Sequence, residues 1–174
     1  QRADYLIERR DGGFEVADRA ERLGVDWLTD VERLKFADVA VALDLDGNAG
    51  VVAQIIRALF GPAYLANKNF VGIGLSFVDG GMAYADLVSL AVSTDVFAAL
   101  AGGRSNTAVV NHLYRNVVGT APSAADLAQF VSMLDSGAHT QESLALLACQ
   151  VDVNTQSVDL VGLADTGIEF VPQG

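Results

Sequence analysis

The spacing of hydrophobic residues changes near residue 47, and this change divides the chain into two parts. Between residues 3 and 43, apolar residues mostly alternate with polar ones, which is the spacing of β-strands that bury one face. From residue 48 onward, apolar residues recur every three or four positions, which is the spacing of amphipathic helices. The pattern predicts an α+β protein with a small antiparallel β-subdomain at residues 1–47 and a helical domain at residues 48–174.

The first part predicts a β-hairpin followed by two or three more short strands. Apolar residues alternate within residues 5–7 and again within residues 14–16. The Asp-Gly-Gly segment at residues 11–13 has the composition of a hairpin turn, because glycine adopts positive φ without steric cost. Alternation continues through residues 28–43. We expect all of these strands to bury one face.

The second part predicts a bundle of about seven short helices, closed by a short strand. Residues suited to N-caps stand at Asn48, Asn106, Ser123 and Thr140. Gly61-Pro62 breaks the first helix, and a last helix is expected at residues 158–164. Residues 167–172 form a short apolar run, which we expect to be a strand that returns to the β part.

The helical part contains an internal repeat. In its first helix, Val51, Val52, Arg57 and Gly61 match Val109, Val110, Arg115 and Gly119. Further along, Asp79, Gly81, Asp86 and Leu90 match Asp135, Gly137, Glu142 and Leu146. Two residues are lost between these sets, at a loop where a change in length costs little. We favour a duplication over chance similarity, so the bundle is expected to consist of two related halves.

The charge of the chain restricts its partners. It has 22 acidic and 11 basic residues, which gives a net charge of -11. A field of this sign repels nucleic acid and anionic membrane surfaces. No apolar run approaches the roughly 20 residues that a membrane-spanning helix needs. We therefore expect no nucleic-acid partner and no insertion into a membrane.

The single cysteine, Cys149, rules out a disulfide within the chain. It lies in a run of leucine and alanine residues, which favours a buried, unreactive thiol over a nucleophile. The two histidines, His112 and His139, lie in different predicted helices and lack the spacing of a zinc site. Residues 74–78 (GLSFV) lack the final glycine of a nucleophile elbow. No convergent set of catalytic groups is visible, so we expect a protein that is not an enzyme.

The turn between the two parts is a candidate calcium site. Asp44, Asp46 and Asn48 offer two carboxylates and an amide oxygen beside Gly47, which are suitable ligands for a hard cation. The bidentate glutamate of a complete calcium loop is missing. The alternative is a strand-to-helix turn in which Asn48 caps the helix and the two carboxylates lie near the positive end of its dipole.

Two aromatic residues are candidate binding residues. Trp27 and Tyr114 could each stack on a sugar ring. Trp27 falls in the predicted β part, and Tyr114 lies beside the core positions of a predicted helix. Packing within the fold is the alternative for both side chains.

Several segments together resemble the C-terminal region of RTX-type bacterial proteins. Residues 25–38 (VDWLTDVERLKFAD) resemble the segment that follows hemolysin-type calcium-binding repeats. Residues 43–50 (LDLDGNAG) resemble the entry into a helical domain of unknown function, and residues 113–119 (LYRNVVG) and 126–131 (DLAQFV) resemble its first two helices. Residues 134–137 and 167–172 are similar to the turn that follows and to the end of such chains. The chain departs from this pattern at Gln129 and Phe130, where the family usually has Tyr-Trp.

The resemblance implies a bacterial protein that is exported by a type I secretion system and folds outside the cell with calcium. No glycine-aspartate nonapeptide occurs in the chain, so the resemblance places the calcium-binding roll ahead of Gln1. The β-subdomain would cap that roll. We therefore expect a non-enzymatic C-terminal module that serves secretion and folding, with the secretion machinery as its partner and attachment to cell-surface polysaccharide or an S-layer as an added role. The alternative is a carbohydrate- or surface-binding adhesin domain.

Overall fold

The computed structural model describes residues 1–160 and 162–173. Within these ranges it contains two three-stranded antiparallel sheets and nine α-helices, which confirms the predicted α+β class. The strands are β1 (Tyr5–Arg10), β2 (Gly13–Asp18), β3 (Val25–Leu28), β4 (Arg33–Lys35), β5 (Ala40–Ala42) and β6 (Ile168–Phe170). The helices are α1 (Asn48–Phe60), α2 (Lys68–Asp79), α3 (Tyr84–Ser93), α4 (Asp95–Ala101), α5 (Asn106–Val118), α6 (Ala124–Asp135), α7 (Gln141–Gln150), α8 (Asp152–Leu160) and α9 (Leu163–Thr166).

The helix count exceeds the expected seven mainly near the C-terminus. The predicted last helix at residues 158–164 includes residue 161, which lies outside the described residues. On either side of it the chain forms α8 and α9. Short 3-10 helices also form at Arg2–Asp4 and Pro62–Ala66. In the described part of the chain, no single helix is long and apolar enough to cross a membrane; α3 and α4 together pass by length and composition but are bent by 68°.

The strands form two sheets with the orders β1-β2-β3 and β4-β5-β6. The predicted hairpin is confirmed, with Ile7 opposite Val16 and a positive φ at Gly12 in the turn. The expected return of the C-terminal segment is also confirmed, because β6 pairs with β5 and places Ile168 opposite Ala42. The second sheet therefore joins residues from both ends of the sequence.

Strand β5 is buried on both faces and links two hydrophobic cores. Ala40 and Ala42 point into the large core formed by the helices and β6. Val41 and Leu43 point to the opposite side, into a smaller core with residues of the first sheet such as Ile7. Alternate residues of a strand point to opposite faces, so this three-residue strand contributes to both cores. The division into domains at residues 1–47 and 48–174 stays a prediction.

Asp18 at the end of β2 organises the loop that leads to β3. Asp18 is 5 % exposed, and its carboxylate accepts hydrogen bonds from the backbone N–H groups of Ala20 at 3.1 Å and Arg22 at 3.0 Å. The hydrogen bond from the Ala20 amide is the main cause that lowers the pKa of Asp18 from its usual value. The loop between β2 and β3 is thus ordered around one ionised carboxylate.

The helical part consists of two related halves, as the repeat predicted. Helices α1 and α5 each have 13 residues, and α2 and α6 each have 12. Helices α3 and α7 each have 10 residues. The first helix of each half ends at a glycine with positive φ, Gly61 in one half and Gly119 in the other. Both glycines serve as C-caps, a position where positive φ favours glycine.

In the structure, the correct alignment of α3 with α7 differs by one residue from the alignment that the sequence repeat predicted. Helix α7 begins one residue later than the sequence match implied, because the loop before it is longer by one residue. Burial follows the shifted match: Leu87 and Val88 in α3 correspond to Leu144 and Ala145 in α7, and all four are buried. The pairing of Asp86 with Glu142, and of Leu90 with Leu146, is therefore wrong by one position.

An equivalent asparagine–aspartate hydrogen bond joins the first and second helices of each half. The amide of Asn48 donates to Asp79 at 2.8 Å, and the amide of Asn106 donates to Asp135 at 2.7 Å. Both asparagines are the first residue of their helix rather than its N-cap, which corrects the sequence prediction. The N-caps are Gly47 and Ser105, and the Ser105 hydroxyl accepts a hydrogen bond from the helix at 3.2 Å. The asparagines instead tie the start of one helix to the end of the next.

The fourth helix of each half packs against the first helix of the other half. Helix α4 contacts α5, and α8 contacts α1. The residues that make these contacts, Phe97 in α4 and Asn154 in α8, occupy matching positions and are 1 % and 0 % exposed. The two halves therefore interlock, which explains why they share a single large core.

Two glycines in α2 allow close approach of neighbouring backbone and side chains. A Cβ atom at Gly72 would lie 1.9 Å from the carbonyl oxygen of Val171, in the segment after β6. A Cβ atom at Gly74 would lie 2.7 Å from a methyl group of Val52 in α1. Gly74 thus allows close packing of α2 on α1, and Gly72 allows close approach of the C-terminal segment.

We expect Gly72→Ala to lower the free energy of unfolding by about 2 kcal/mol, a typical cost of forcing extra volume into a packed contact. The nearest atom to the added methyl group is the backbone carbonyl oxygen of Val171, which cannot move aside as the end of a flexible side chain can. The backbone N–H of Val171, which donates to Lys68 at 3.0 Å, should also exchange faster with deuterium. Ser76→Ala at an exposed site of the same helix is the control. Equal stability of the two variants in urea would contradict the prediction.

Candidate functional site

Arg33 lies among the carboxylates of the predicted calcium site. Its guanidinium forms an ion pair with Asp44, in the turn after β5. It also donates to both carboxylate oxygens of Asp79 at the end of α2, at 2.9 and 3.2 Å. Strand β4 holds Arg33 between them by pairing with β5. A fixed positive charge therefore lies where a calcium ion would need to bind.

The other two predicted ligands do not converge on Asp44. The amide of Asn48 is directed to Asp79, and Asp46 is exposed. Asp44 instead accepts a hydrogen bond from the backbone N–H of Ala49 at 3.3 Å, in the first turn of α1. Among residues 1–160 and 162–173, no group of three acidic, histidine or cysteine side chains could hold a metal ion. These donors do not fit a calcium site as arranged, and calcium binding by this turn stays a prediction.

Asp44→Ala should lower the free energy of unfolding by about 2 kcal/mol in calcium-free buffer, because it leaves a partly buried guanidinium without one of its carboxylates. Asp46→Ala should change it by less than about 0.5 kcal/mol, since that side chain is exposed. Urea unfolding with chelator and with added calcium measures both. If Asp44→Ala and Asp46→Ala are costly only when calcium is present, the turn is a calcium site and the ion-pair interpretation is wrong.

Trp27 lies on an edge strand with its side chain half exposed. Strand β3 is the last strand of the first sheet and pairs only with β2 among the described strands. Trp27 is 51 % exposed, and Val25, two residues earlier on the same face, is 63 % exposed. The outer face of β3 therefore presents an aromatic ring and an aliphatic side chain to solvent. Such an edge can stack on a planar ligand or pair with another strand.

Tyr114 makes a ring contact and a hydrogen bond within the second half of the bundle. Its ring lies 6.4 Å from the ring of Phe130 in α6. Its hydroxyl donates to the carboxylate of Asp126 at 3.4 Å. These contacts join α5 to α6, which favours the packing interpretation for Tyr114 over sugar stacking.

His112 and Asn116 satisfy the C-terminal end of α1. The Nε2 atom of His112 lies 2.7 Å from the carbonyl oxygen of Leu59, so Nε2 carries the proton and donates. The amide of Asn116 donates to the carbonyl oxygen of Ala58 at 3.0 Å. The last carbonyls of a helix lack partners within the helix, and these side chains supply them. This role could not be predicted from the sequence, because the carbonyls that His112 and Asn116 contact lie 53 and 58 residues away in the chain.

The thiol of Cys149 is buried, as the sequence predicted. Burial raises the pKa of Cys149 to about 12, so the thiol stays protonated at neutral pH. Burial also raises the pKa of Tyr84, whose hydroxyl donates to Gln54 at 3.2 Å. A protonated thiol is a poor nucleophile.

A buried polar cluster around Asn154 joins the two halves, and the sequence analysis did not predict it. Asn154 accepts a hydrogen bond from the guanidinium of Arg57 at 2.8 Å. Its amide donates to the carbonyl oxygens of Gln54 at 3.0 Å and Cys149 at 2.8 Å. Burial lowers the pKa of Arg57. Sequence reasoning could not find the cluster, because Asn154 aligns with Phe97 only in the register that the structure corrected.

Comparison of the chain with protein-family models, curated proteins and solved structures finds no match. The resemblance to RTX-type proteins therefore stays a prediction that rests on the segments in the sequence.

Proposed function

We propose that this chain is a non-catalytic C-terminal module of an exported RTX-type protein, and that it serves type I secretion and folding outside the cell. The observation that carries the proposal is that the side chains able to react are held in contacts that stabilise the fold. His112 holds the end of α1, Arg33 bridges two carboxylates, and the Cys149 thiol is buried and protonated. Groups held in this way stabilise a scaffold and are not placed to react with a substrate. The net charge of -11 also suits a soluble extracellular surface.

The position of β6 supports a role for the C-terminal tail before folding. In the folded chain, Ile168 and Phe170 are 1 % and 8 % exposed, and β6 pairs with a strand more than a hundred residues away in sequence. Contacts between residues so distant in sequence form slowly, because a long loop must close first. The tail is therefore accessible to an exporter while the chain is unfolded and hidden once it has folded. The resemblance assigns calcium to repeats ahead of Gln1, and this proposal requires none at Asp44, Asp46 or Asn48.

The test is export of a fusion that carries this chain at its C-terminus, in a bacterium that expresses a type I exporter of an RTX-type protein. Removal of residues 168–174 should abolish export. Leu59→Ala is the matched control, because it weakens the folded core but leaves the tail intact. The proposal predicts that the control is exported normally. Export of the truncated chain, or equal loss of export in both, would contradict it.

The alternative function is a carbohydrate- or surface-binding adhesin domain, and the exposure of Trp27 favours it. A glycan array probed with the purified chain tests this. Binding that is lost in Trp27→Ala but kept in Tyr114→Phe would support the adhesin and would identify the β3 edge as its site. Equal binding by the unaltered chain and Trp27→Ala would remove the observation on which the alternative depends.

A further inference from the structure

A groove of about 250 Å³ opens between α1, α2 and α3 in the first half of the bundle. Almost all of its walls are aliphatic or aromatic, and they include Val52, Ile56, Phe60, Ile73, Phe77 and Leu87. Among the described residues that line it, Thr94 has the one polar side chain. Its hydroxyl is already used, because it donates to Ala91 at 2.7 Å and accepts from the N–H of Phe97 at 3.1 Å. The groove therefore offers no free polar group to a ligand.

The second half of the bundle has bulkier or more polar side chains at several of the corresponding positions. Phe130 in α6 matches Gly74 in α2, and its ring packs near Tyr114, which matches Ile56. Gln129 matches Ile73 and places an amide where the first half has an apolar side chain. Both halves form the same helices, so the open apolar groove is not a requirement of the fold.

The mouth of the groove is also apolar. Ile73 in α2 is 44 % exposed, and Leu90 in α3 is 40 % exposed. At one end the groove is bounded by the rings of Phe60 and Phe70, whose centroids lie 4.6 Å apart in an edge-to-face arrangement. A ligand that covers this mouth removes apolar surface from water, which is favourable in proportion to the area covered.

We propose that this groove binds an uncharged hydrocarbon chain. Its walls can stabilise only apolar groups, because they present no partner for a charge or a hydrogen bond. Its volume exceeds that of the apolar cavities of about 150 Å³ that are known to bind benzene in an engineered protein. The net charge of -11 opposes the approach of anionic lipids. This site is independent of the proposed role in secretion.

Titration with 1-pentanol, 1-hexanol and 1-octanol tests the proposal. One molecule should bind per chain, and the affinity should rise about fourfold with each added methylene, which is the gain expected for burying one methylene group. The methyl NMR signals of Val52, Ile73 and Leu87 should shift together and saturate. An affinity that does not depend on chain length would overturn the proposal.

Two variants locate the binding site. Ala91→Leu fills the groove and should weaken 1-octanol binding about tenfold or more, because it removes room for several methylenes. Ala148→Leu at the matching position of α7 is its control and should leave binding unchanged. Ile73→Gln, at an exposed site, should weaken binding about fivefold without a loss of stability. Equal binding by Ile73→Gln and the unaltered chain would count against the groove even if Ala91→Leu failed to fold.

A sedimentation assay with neutral phosphatidylcholine vesicles separates a free hydrocarbon ligand from a lipid surface. The proposal predicts that the chain stays in the supernatant while it still binds 1-octanol. Co-sedimentation with vesicles that is lost in Ile73→Gln would replace the proposal with one in which the groove docks on a membrane. Failure of 1-octanol to bind would overturn it, and neither result bears on export.

Discussion

Asn154→Ala is expected to lower the free energy of unfolding by about 3 kcal/mol, because it removes hydrogen bonds to a charged group and to two backbone carbonyls at once. Asn154 is fully buried between α7, α8 and α1. Without it, the Arg57 guanidinium loses its acceptor in a site where burial already disfavours the charge. Urea unfolding followed by circular dichroism measures the change.

The control for this variant is Asn111→Ala. Asn111 lies on α5 and, among the described residues, donates only to Thr107 of its own helix, at 2.9 Å. Its replacement should change stability by less than about 0.5 kcal/mol, since alanine also favours the helix. A double-mutant cycle with Arg57→Met should give a coupling of about 1–3 kcal/mol between positions 57 and 154. Additive effects, or equal stability of the two asparagine variants, would show that the cluster contributes little.

Phe97→Ala is expected to cost about 4 kcal/mol, the usual range for removing a fully buried aromatic ring and leaving a cavity. Phe97 is 1 % exposed and lies edge-to-face with His112 of α5, with ring centroids 5.5 Å apart. The loss should therefore loosen the contact between α4 and α5. The hydrogen bond from His112 to Leu59 should weaken with it, which would raise deuterium exchange at the end of α1.

Val96→Ala is the matched control, one residue earlier on the same helix. Val96 is 41 % exposed, so its replacement should cost less than about 1 kcal/mol. Calorimetric melting of the three proteins gives the comparison. If Phe97→Ala melts at the same temperature as Val96→Ala, α4 does not lock the two halves together and the interlocked description of the bundle fails.

The repeat was visible in the sequence because duplicated helices preserve their spacing of apolar residues. The first three helices of the two halves agree in length, and the Gly61 and Gly119 C-caps stand where the sequence match placed them. The match failed by one residue at the third helices, because a single inserted residue in a loop leaves no periodic signal of its own. Burial of Leu144 and Ala145 decided that register.

The candidate site was predicted less well, because side-chain partners depend on contacts between distant parts of the chain. Asp44 and Asn48 suggested a cation site, since they lie close together in sequence beside a glycine. The structure places Arg33 beside Asp44, and it directs Asn48 to Asp79 at the end of another helix. Neither partner can be identified from local spacing, because β4 and α2 come near this turn only in the folded chain.

Local patterns in the sequence were enough to predict the hairpin, the helices, the duplication and the burial of Cys149. These properties follow from local periodicity and turn chemistry, which act over a few residues. The folded structure was needed to show that α4 and α8 each contact the other half, that β5 contributes to two cores, and that an apolar groove opens in the first half. Each of these features depends on the distance between residues far apart in sequence, which packing sets and which no local pattern encodes.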